Sequence, residues 1–352
     1  QPDGSYRIQG VKRYISWGDH DLAENIVHLV LARMPDAPAG SAGVSCFIAT
    51  KYLVNPDGSL GARNDMRALS VEQNMGFRAS PTCAMGWGDE GGAIAHLIGR
   101  ENSGMRIMFK MMNSNRLATA LGAMGICERS WQAARAYARE RIQGRPHGGN
   151  ASTPIVEHAD VRRNLMSMRS QIEAMRAMCY LTASAFDLAL HAKEENKRTE
   201  SRQLADLLTP IAKSWCTDVG NEVTSLGIQI FGGAGFVEES TVAQHYRDIR
   251  IMSIFEGSNG IQAQDLVGRK LSQAGGAAVQ RLIGEMHEQI RTLADMRGAF
   301  PAIGQSLAAG VAALERATQW MQAQETGLSL PAAAGASAYQ RLFGDVLAAH
   351  LL

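Results

Sequence analysis

The chain has 352 residues, 45% hydrophobic and 20% charged, which is ample for a buried core and more than one core usually serves, so two or three domains are expected. Thirty-five basic against 34 acidic side chains leave a net charge of +1, which gives no global field favouring nucleic acid or acidic lipid. No apolar run approaches the ~18 residues of a membrane span, so no membrane insertion is expected. The five cysteines (Cys46, Cys83, Cys127, Cys179 and Cys216) are scattered and form no Cys-x-x-Cys pair, which argues against a disulfide framework and a zinc site. With no signal peptide in view, a reducing cytoplasm is the simplest location.

Residues 1–100 read as β-rich. A strand-like segment runs from Tyr6 to Ser16, and others cover Asn25–Arg33 and Gly43–Ala49. Turn clusters such as Pro35–Gly40 and Asn55–Gly58 punctuate them, a spacing that predicts a sandwich or barrel. From about Asn102 the texture changes to long helices: Met105–Gln143, Ile155–Lys197 and Ser201–Leu226, with a Gly/Pro-rich break at 144–154. Helices that long pack side by side, so 101–271 reads as a helical bundle. Residues 272–352 carry further Ala-rich helical stretches, roughly Ala277–Arg297, Gly304–Glu325 and Ala334–Leu352, read as an appended helical domain. Arginines and methionines along these helices are taken as solvated faces and core filler. The start on Gln1 and a helix running to Leu352 suggest a piece of a longer protein, with the β-domain incomplete at its start and the appended region truncated. The expected class is therefore α+β.

The segment Ile254-Phe-Glu-Gly-Ser-Asn-Gly-Ile-Gln262 carries the first chemistry. Glu256 follows two apolar residues and precedes a glycine; burial raises a carboxyl pKa towards neutrality, as a base for a weakly acidic C–H requires. Gly257 permits close ligand approach, and Ser258 or Asn259 can cap the helix that follows. By itself, a Glu before a helix is more often a cap or a solvated charge than a base. A second segment, Gln229-Ile-Phe-Gly-Gly-Ala-Gly-Phe236, closes a helix with glycines and alone reads as a plain C-cap.

Together these segments resemble the acyl-CoA dehydrogenase family, in the order and at the separation found there. The resemblance implies that Glu256 removes the α-proton of an acyl-CoA while FAD takes the β-hydride. It places Gly257 at the thioester and Ser258, Asn259 and Gly260 at flavin-contacting positions. It implies that Gln229, Ile230, Phe231, Gly232 and Gly233 meet the adenosine part of FAD held by a neighbouring subunit. Arg141, in Tyr137-Ala-Arg-Glu-Arg-Ile-Gln-Gly-Arg145, resembles the arginine that reaches the FAD pyrophosphate, a task its bidentate fork suits. His158, in Ile155-Val-Glu-His-Ala159, matches a position near the flavin. Met112-Asn-Ser-Asn-Arg116 resembles an acyl-CoA-touching stretch, giving Asn113 and Arg116 as substrate contacts; Arg116 reads equally as an internal helix-terminus pair. Gly10-Val-Lys-Arg-Tyr-Ile-Ser16 resembles the strand lying against the isoalloxazine, with Tyr14, Ile15 and Ser16 facing it.

The resemblance spans about residues 1–271 and lacks the family's N-terminal helical domain and one flavin-binding strand. Ser16-Trp-Gly-Asp-His-Asp-Leu22, Met108–Asn113 and Asn259–Leu271 look like the 3-(methylthio)propanoyl-CoA dehydrogenase subgroup, which also carries an extra C-terminal helical region. It implies an electron-transfer flavoprotein as acceptor, a homodimer or homotetramer, and no metal. Other readings are a dehydrogenase of ordinary short- or medium-chain acyl-CoA, an acyl-CoA oxidase, or a non-catalytic DNA-protecting relative. The neutral charge and the retained Glu256 count against the last.

Overall fold

The structure, a computed structural model, describes residues 1–324 and 328–352. It divides into two compact units, Gln1–Asn113 and Ser114–Leu352.

The first unit is antiparallel throughout its paired strands. Its strands are β1 (Tyr6–Ile8), β2 (Gly10–Ser16), β3 (Val27–Arg33), β4 (Val44–Thr50), β5 (Tyr52–Val54), β6 (Leu60–Arg63), β7 (Met66–Val71), β8 (Thr82–Trp87) and β9 (Ala93–Ile98). They form a four-stranded sheet β1-β9-β4-β3, a three-stranded sheet β2-β8-β7 and a small hairpin β5-β6. Phe47, Met66, Cys83, Met85, Trp87, Ala93 and Ala95 make its buried core. This is the expected sandwich, with one difference. The single strand read over Tyr6–Ser16 is two strands in different sheets, β1 pairing with β9 and β2 with β8. The chain crosses between them at Gly10, whose φ of +141° is open to glycine without strain. The strand expected from Asn25 starts at Val27, because the Asn25 amide is used to clip Tyr52: it donates to the Tyr52 carbonyl at 2.8 Å and accepts from its N–H at 2.9 Å.

Helices follow: α1 (Gly104–Glu140), α2 (Ala159–His191), α3 (Glu195–Phe231), α4 (Gly233–Phe236), α5 (Thr241–Ile249), α6 (Asn259–Asp265), α7 (Ala277–Ala294), α8 (Phe300–Gln322) and α9 (Leu330–Leu351). At 1.5 Å per residue α3 is roughly 55 Å long, and from Leu207 to Thr217 every residue is buried, which makes it the spine of the second unit. It overruns its expected end at Leu226 because Gly227 is there for packing rather than termination. A β-carbon on Gly227 would stand 2.3 Å from Ser130 Oγ of α1, so the glycine lets the two helices touch. Conversely, α2 ends at His191 instead of Lys197, with no Gly or Pro to announce it. Arg198 satisfies the carbonyls of Ala192 and Lys193 at 2.8 and 3.0 Å, stabilising the break. The end expected for the α8 segment, Glu325, lies outside the described residues.

The helices after Leu271 belong to the same compact unit. Helix α9 packs on α3 through Trp215, whose indole N–H donates to Asp345 at 2.7 Å, and through Gln340, which donates to the Pro210 carbonyl at 3.0 Å. Gly344 makes that approach feasible, since a β-carbon there would lie 2.3 Å from the Trp215 ring. Gly344→Ala is therefore expected to lower stability by ~1–3 kcal/mol through overpacking, read as a lower urea midpoint. An unchanged midpoint would mean that the helices slide apart freely.

Candidate active site

Helix α5 leads through a short 3-10 turn, Arg250–Ser253, into the turn that carries Glu256 before α6 begins. Two consecutive residues there have positive φ, Glu256 at +57° and Gly257 at +85°. Glycine accepts this conformation; for glutamate it costs about 1–2 kcal/mol, so the surroundings must hold it. They do so through the Gly257 carbonyl, which accepts from Lys213 Nζ at 3.0 Å and from Gln262 Nε2 at 3.2 Å. A β-carbon on Gly257 would come within 2.6 Å of that Gln262 amide and 3.6 Å of the Arg116 guanidinium, so the turn sits flush against both. Glu256 is half-buried, not enclosed as its apolar neighbours suggest, because Ile254 turns outward and is 49% exposed.

Ser258 stands at the N-cap of α6, yet its side chain makes no capping bond. Asn259 does not cap either. It turns into α3, accepting from Lys213 at 2.8 Å and donating to Thr217 Oγ1 at 2.9 Å, Asp218 at 2.7 Å and the Ser214 carbonyl at 3.3 Å. Gly260 is exposed. Arg116 is buried on α1 and pairs with Asp265 at 3.6 Å, while Asp265 also pairs with Arg269 at 2.7 Å. The internal-pair reading of Arg116 is thus what the geometry displays, at a position against Gly257. Asn113, one helical turn earlier, is half-buried.

Two cations, Lys213 and Arg116, therefore back one carboxylate-bearing turn. Lys213 is fully buried, and desolvation lowers its pKa to about 8 against the opposing pull of Asp218 and Glu256. Burial likewise pulls the Arg116 guanidinium below its ordinary value, with Asp265 and Glu256 opposing. Lys213, Asp218, Gln262 and Asp265 were not singled out from sequence. For Lys213 a signal exists, a lysine inside the run Leu207-Leu-Thr-Pro-Ile-Ala-Lys-Ser-Trp-Cys216 at a helix position surrounded by core residues.

A second group gathers at the far ends of α1 and α3. Tyr137 stacks on Phe231 with ring centroids 4.2 Å apart, which brings Arg141 and the Gly232 turn to the same end of the bundle. Arg141 is exposed, its carbonyl accepting from Ile155 at 2.8 Å, and the His158 ring meets the Gln143 carbonyl at 2.9 Å. Gln229 is exposed, whereas Ile230 points into the core. Gly232 ends α3 with φ +61° and ψ −141°, a glycine-only geometry, and it and Gly233 have open space where a β-carbon would be. Lys213 and Gln229 lie sixteen positions apart on α3, about 24 Å along the helix axis, so the two groups are separate places on this chain. In the first unit, Tyr14 is 73% exposed with φ +61° at an irregularity in β2, followed by half-buried Ile15 and exposed Ser16.

Among the described residues no cluster of metal-ligating side chains occurs, and no helix is long and apolar enough to cross a membrane.

Comparison with known proteins bears on this geometry. The profile described as acyl-CoA dehydrogenase, C-terminal domain, matches residues 102–271, ending just after α6 and its π-helical extension. The chain is 48% identical to the 3-methylmercaptopropionyl-CoA dehydrogenase of Ruegeria pomeroyi over 80% of its own length and 47% of that protein. The structure of butyryl-CoA dehydrogenase from Megasphaera elsdenii superposes with a TM-score of 0.57 at 27% identity, covering 77% of this chain and 62% of that one. Caenorhabditis elegans ACDH-11, solved with C11-CoA, shares the fold over 99% of this chain and 56% of its own, with a TM-score of 0.77 at 21% identity. The chain spans about half the length of the curated relatives it matches, 47 to 49% of the first four. With a sandwich unit, a helical bundle and extra C-terminal helices in that order, the chain belongs to the acyl-CoA dehydrogenase family.

Proposed function

We propose that this chain contributes the catalytic base of an acyl-CoA α,β-dehydrogenase, with Glu256 taking the α-proton of the thioester substrate. The observation that carries this reading is the clamped turn: a half-exposed carboxylate held at positive φ, with its following carbonyl gripped by Lys213 and Gln262. Such a turn presents a base to an adjoining substrate while fixing its backbone. Gly257, lacking a side chain, leaves room for the thioester, and Asn113 and Arg116 are proposed as its flanking contacts.

The chemistry of the donor set fits FAD, which when bound supplies the acceptor for the β-hydride. Arg141 offers an exposed guanidinium for phosphate, Gln229 an exposed amide, and Gly232 and Gly233 an open backbone turn for the adenosine end. Ile230 and Phe231, the last two residues of α3, are proposed to shape that turn. Tyr14, Ile15, Ser16, His158, Ser258, Asn259 and Gly260 are proposed to lie along the flavin. The ~24 Å between the Gln229 end of α3 and the Lys213 site favours service to two flavins, hence a homodimer or homotetramer. An electron-transfer flavoprotein is the proposed acceptor and the cytoplasm the proposed location. The proposed organisation is a middle β-domain to about residue 100, the base-bearing bundle to 271, and an appended helical region thereafter.

As substrate we favour 3-(methylthio)propanoyl-CoA, because the 48%-identical relative carries that activity in its name. Butyryl-CoA dehydrogenases at 35 and 37% identity favour ordinary short-chain acyl-CoA as the second reading. The test is an anaerobic scan of flavin bleaching in the full-length protein over a panel of acyl-CoAs. Fastest bleaching by the methylthio substrate is expected. Fastest bleaching by butyryl-CoA would transfer the assignment to the second reading, peroxide formation without an acceptor protein would indicate an oxidase, and no bleaching by any thioester would overturn the function.

A further inference from the structure

The middle of α3 is the most enclosed part of the second unit, and a lysine there is out of place on packing grounds. Lys213 has no exposed surface and is flanked by buried Leu208, Ile211, Ala212, Trp215 and Cys216. A methionine would fill the same volume without desolvating a charge. The ammonium donates to the Gly257 carbonyl at 3.0 Å and to Asn259 Oδ1 at 2.8 Å, one on each side of Ser258. It thus spans the end of the positive-φ turn and the start of α6. Asn259 is in turn anchored to Thr217 and Asp218, one helical turn further along α3.

We propose that Lys213 is the positioning residue for the Glu256–Gly257 turn, its charge-assisted bonds fixing the backbone that aims Glu256. This rests on the reading of Glu256 as the base. Gln262 adds a second donor to the Gly257 carbonyl, but as a neutral amide it makes the weaker bond. Proton loss from Lys213 leaves only neutral donors on that carbonyl, so the grip on the turn weakens as pH rises. The groups facing Lys213 electrostatically are Asp218 on α3, Glu256 in the turn and Arg116 on α1. Behind them, Asp265 and Arg269 of the α6 segment act on Arg116, and Arg341 of α9 acts on Asp218. Asp218 and Glu256 favour the charged form of Lys213, Arg116 opposes it, and desolvation dominates, which places its titration at about pH 8.

The sign of the linked stability effect follows. Lys213 has a folded pKa of about 8 against an ordinary 10.5, so between those values the unfolded chain binds more protons and stability rises with pH. Below the window the buried charge opposes folding in full.

The experiment uses the full-length protein with Lys213→Met and Asp218→Asn, and Glu256→Gln in parallel. The parent's flavin-reduction rate is expected to fall above about pH 8. Lys213→Met should be at least ~10-fold slower at pH 7, with that alkaline fall gone. Asp218→Asn, which removes a carboxylate that favours the ammonium, should move the fall to lower pH. Independently of activity, the parent's unfolding constant should drop relative to Lys213→Met by on the order of 10²-fold between pH 7.5 and 10.5. If Lys213→Met keeps the parental rate, or an alkaline fall stays put in Asp218→Asn, Lys213 has no positioning role. If Lys213→Met does not fold, the Asp218→Asn profile decides alone. A slow Glu256→Gln beside an unaffected Lys213→Met rejects this proposal only, whereas a fully active Glu256→Gln rejects the base assignment beneath it.

Discussion

Glu256→Gln is expected to slow substrate-dependent flavin bleaching by ~10²–10⁴-fold, the range removed when a positioned general base is lost. The amide has the carboxylate's shape and volume, and the turn is held by backbone contacts at Gly257 rather than by the Glu256 side chain. Flavin content and thermal midpoint should therefore stay at the parental values while the rate collapses. That combination separates a chemical role from a structural one. A cap or a solvated charge, the alternatives that the isolated segment allows, would change stability by about 1 kcal/mol or less and leave bleaching untouched. The capping alternative is already weakened, since Ser258 occupies the N-cap position of α6. Single-turnover bleaching under anaerobic conditions is the measurement, and a parental rate in Glu256→Gln would move the base elsewhere.

Much of the fold is legible in the sequence because periodicity reports it directly. Alternating runs gave strands, long three-and-four spacings gave helices, and the boundary between textures near residue 100 coincides with the end of β9 at Ile98. What sequence hides is set by contacts between distant segments. Gly227 looks like a stop yet lies inside α3, because only the proximity of Ser130, 97 positions away, explains it. Pro210 sits within the same helix, its carbonyl supported by Gln340 from α9. The sheet switch at Gly10 was invisible because β1 and β2 are each good strands on their own.

The candidate site divides in the same way. Residues 254–262 are conspicuous as a segment, and Gly257 announces a special backbone. That Glu256 shares the positive φ is not legible, since a glutamate gives no hint of it. Nor is the partner of the turn, because Lys213 is 44 positions upstream and meets Gly257 only once α3 has packed as the spine. Tyr14–Ser16 carry strain at the Tyr14 backbone that nothing in the alternation of β2 foretells. Local physics identifies unusual residues; the bundle decides which of them meet.

The second large effect is expected at Asp265. Asp265→Ala should destabilise the second unit by ~3–5 kcal/mol, because it removes the carboxylate that pairs with the buried Arg116 guanidinium. In the parent these side chains are only 5% and 14% exposed, so water screens the pair poorly. Loss of the exposed Arg269 partner adds little, an i,i+4 pair being worth about 0.3–0.5 kcal/mol. Urea unfolding of the parent, Asp265→Ala and an Arg116→Met/Asp265→Leu double variant separates pairing from packing. The double variant should regain most of the lost stability, since apolar replacement of a buried pair is often neutral or favourable. It should not regain catalysis, because the Arg116 guanidinium backs Gly257, where the proposed function puts the thioester, and Met cannot replace its charge. Recovery of both would make the pair a packing feature; failure of Asp265→Ala to destabilise would mean that Arg116 reaches solvent or another carboxylate.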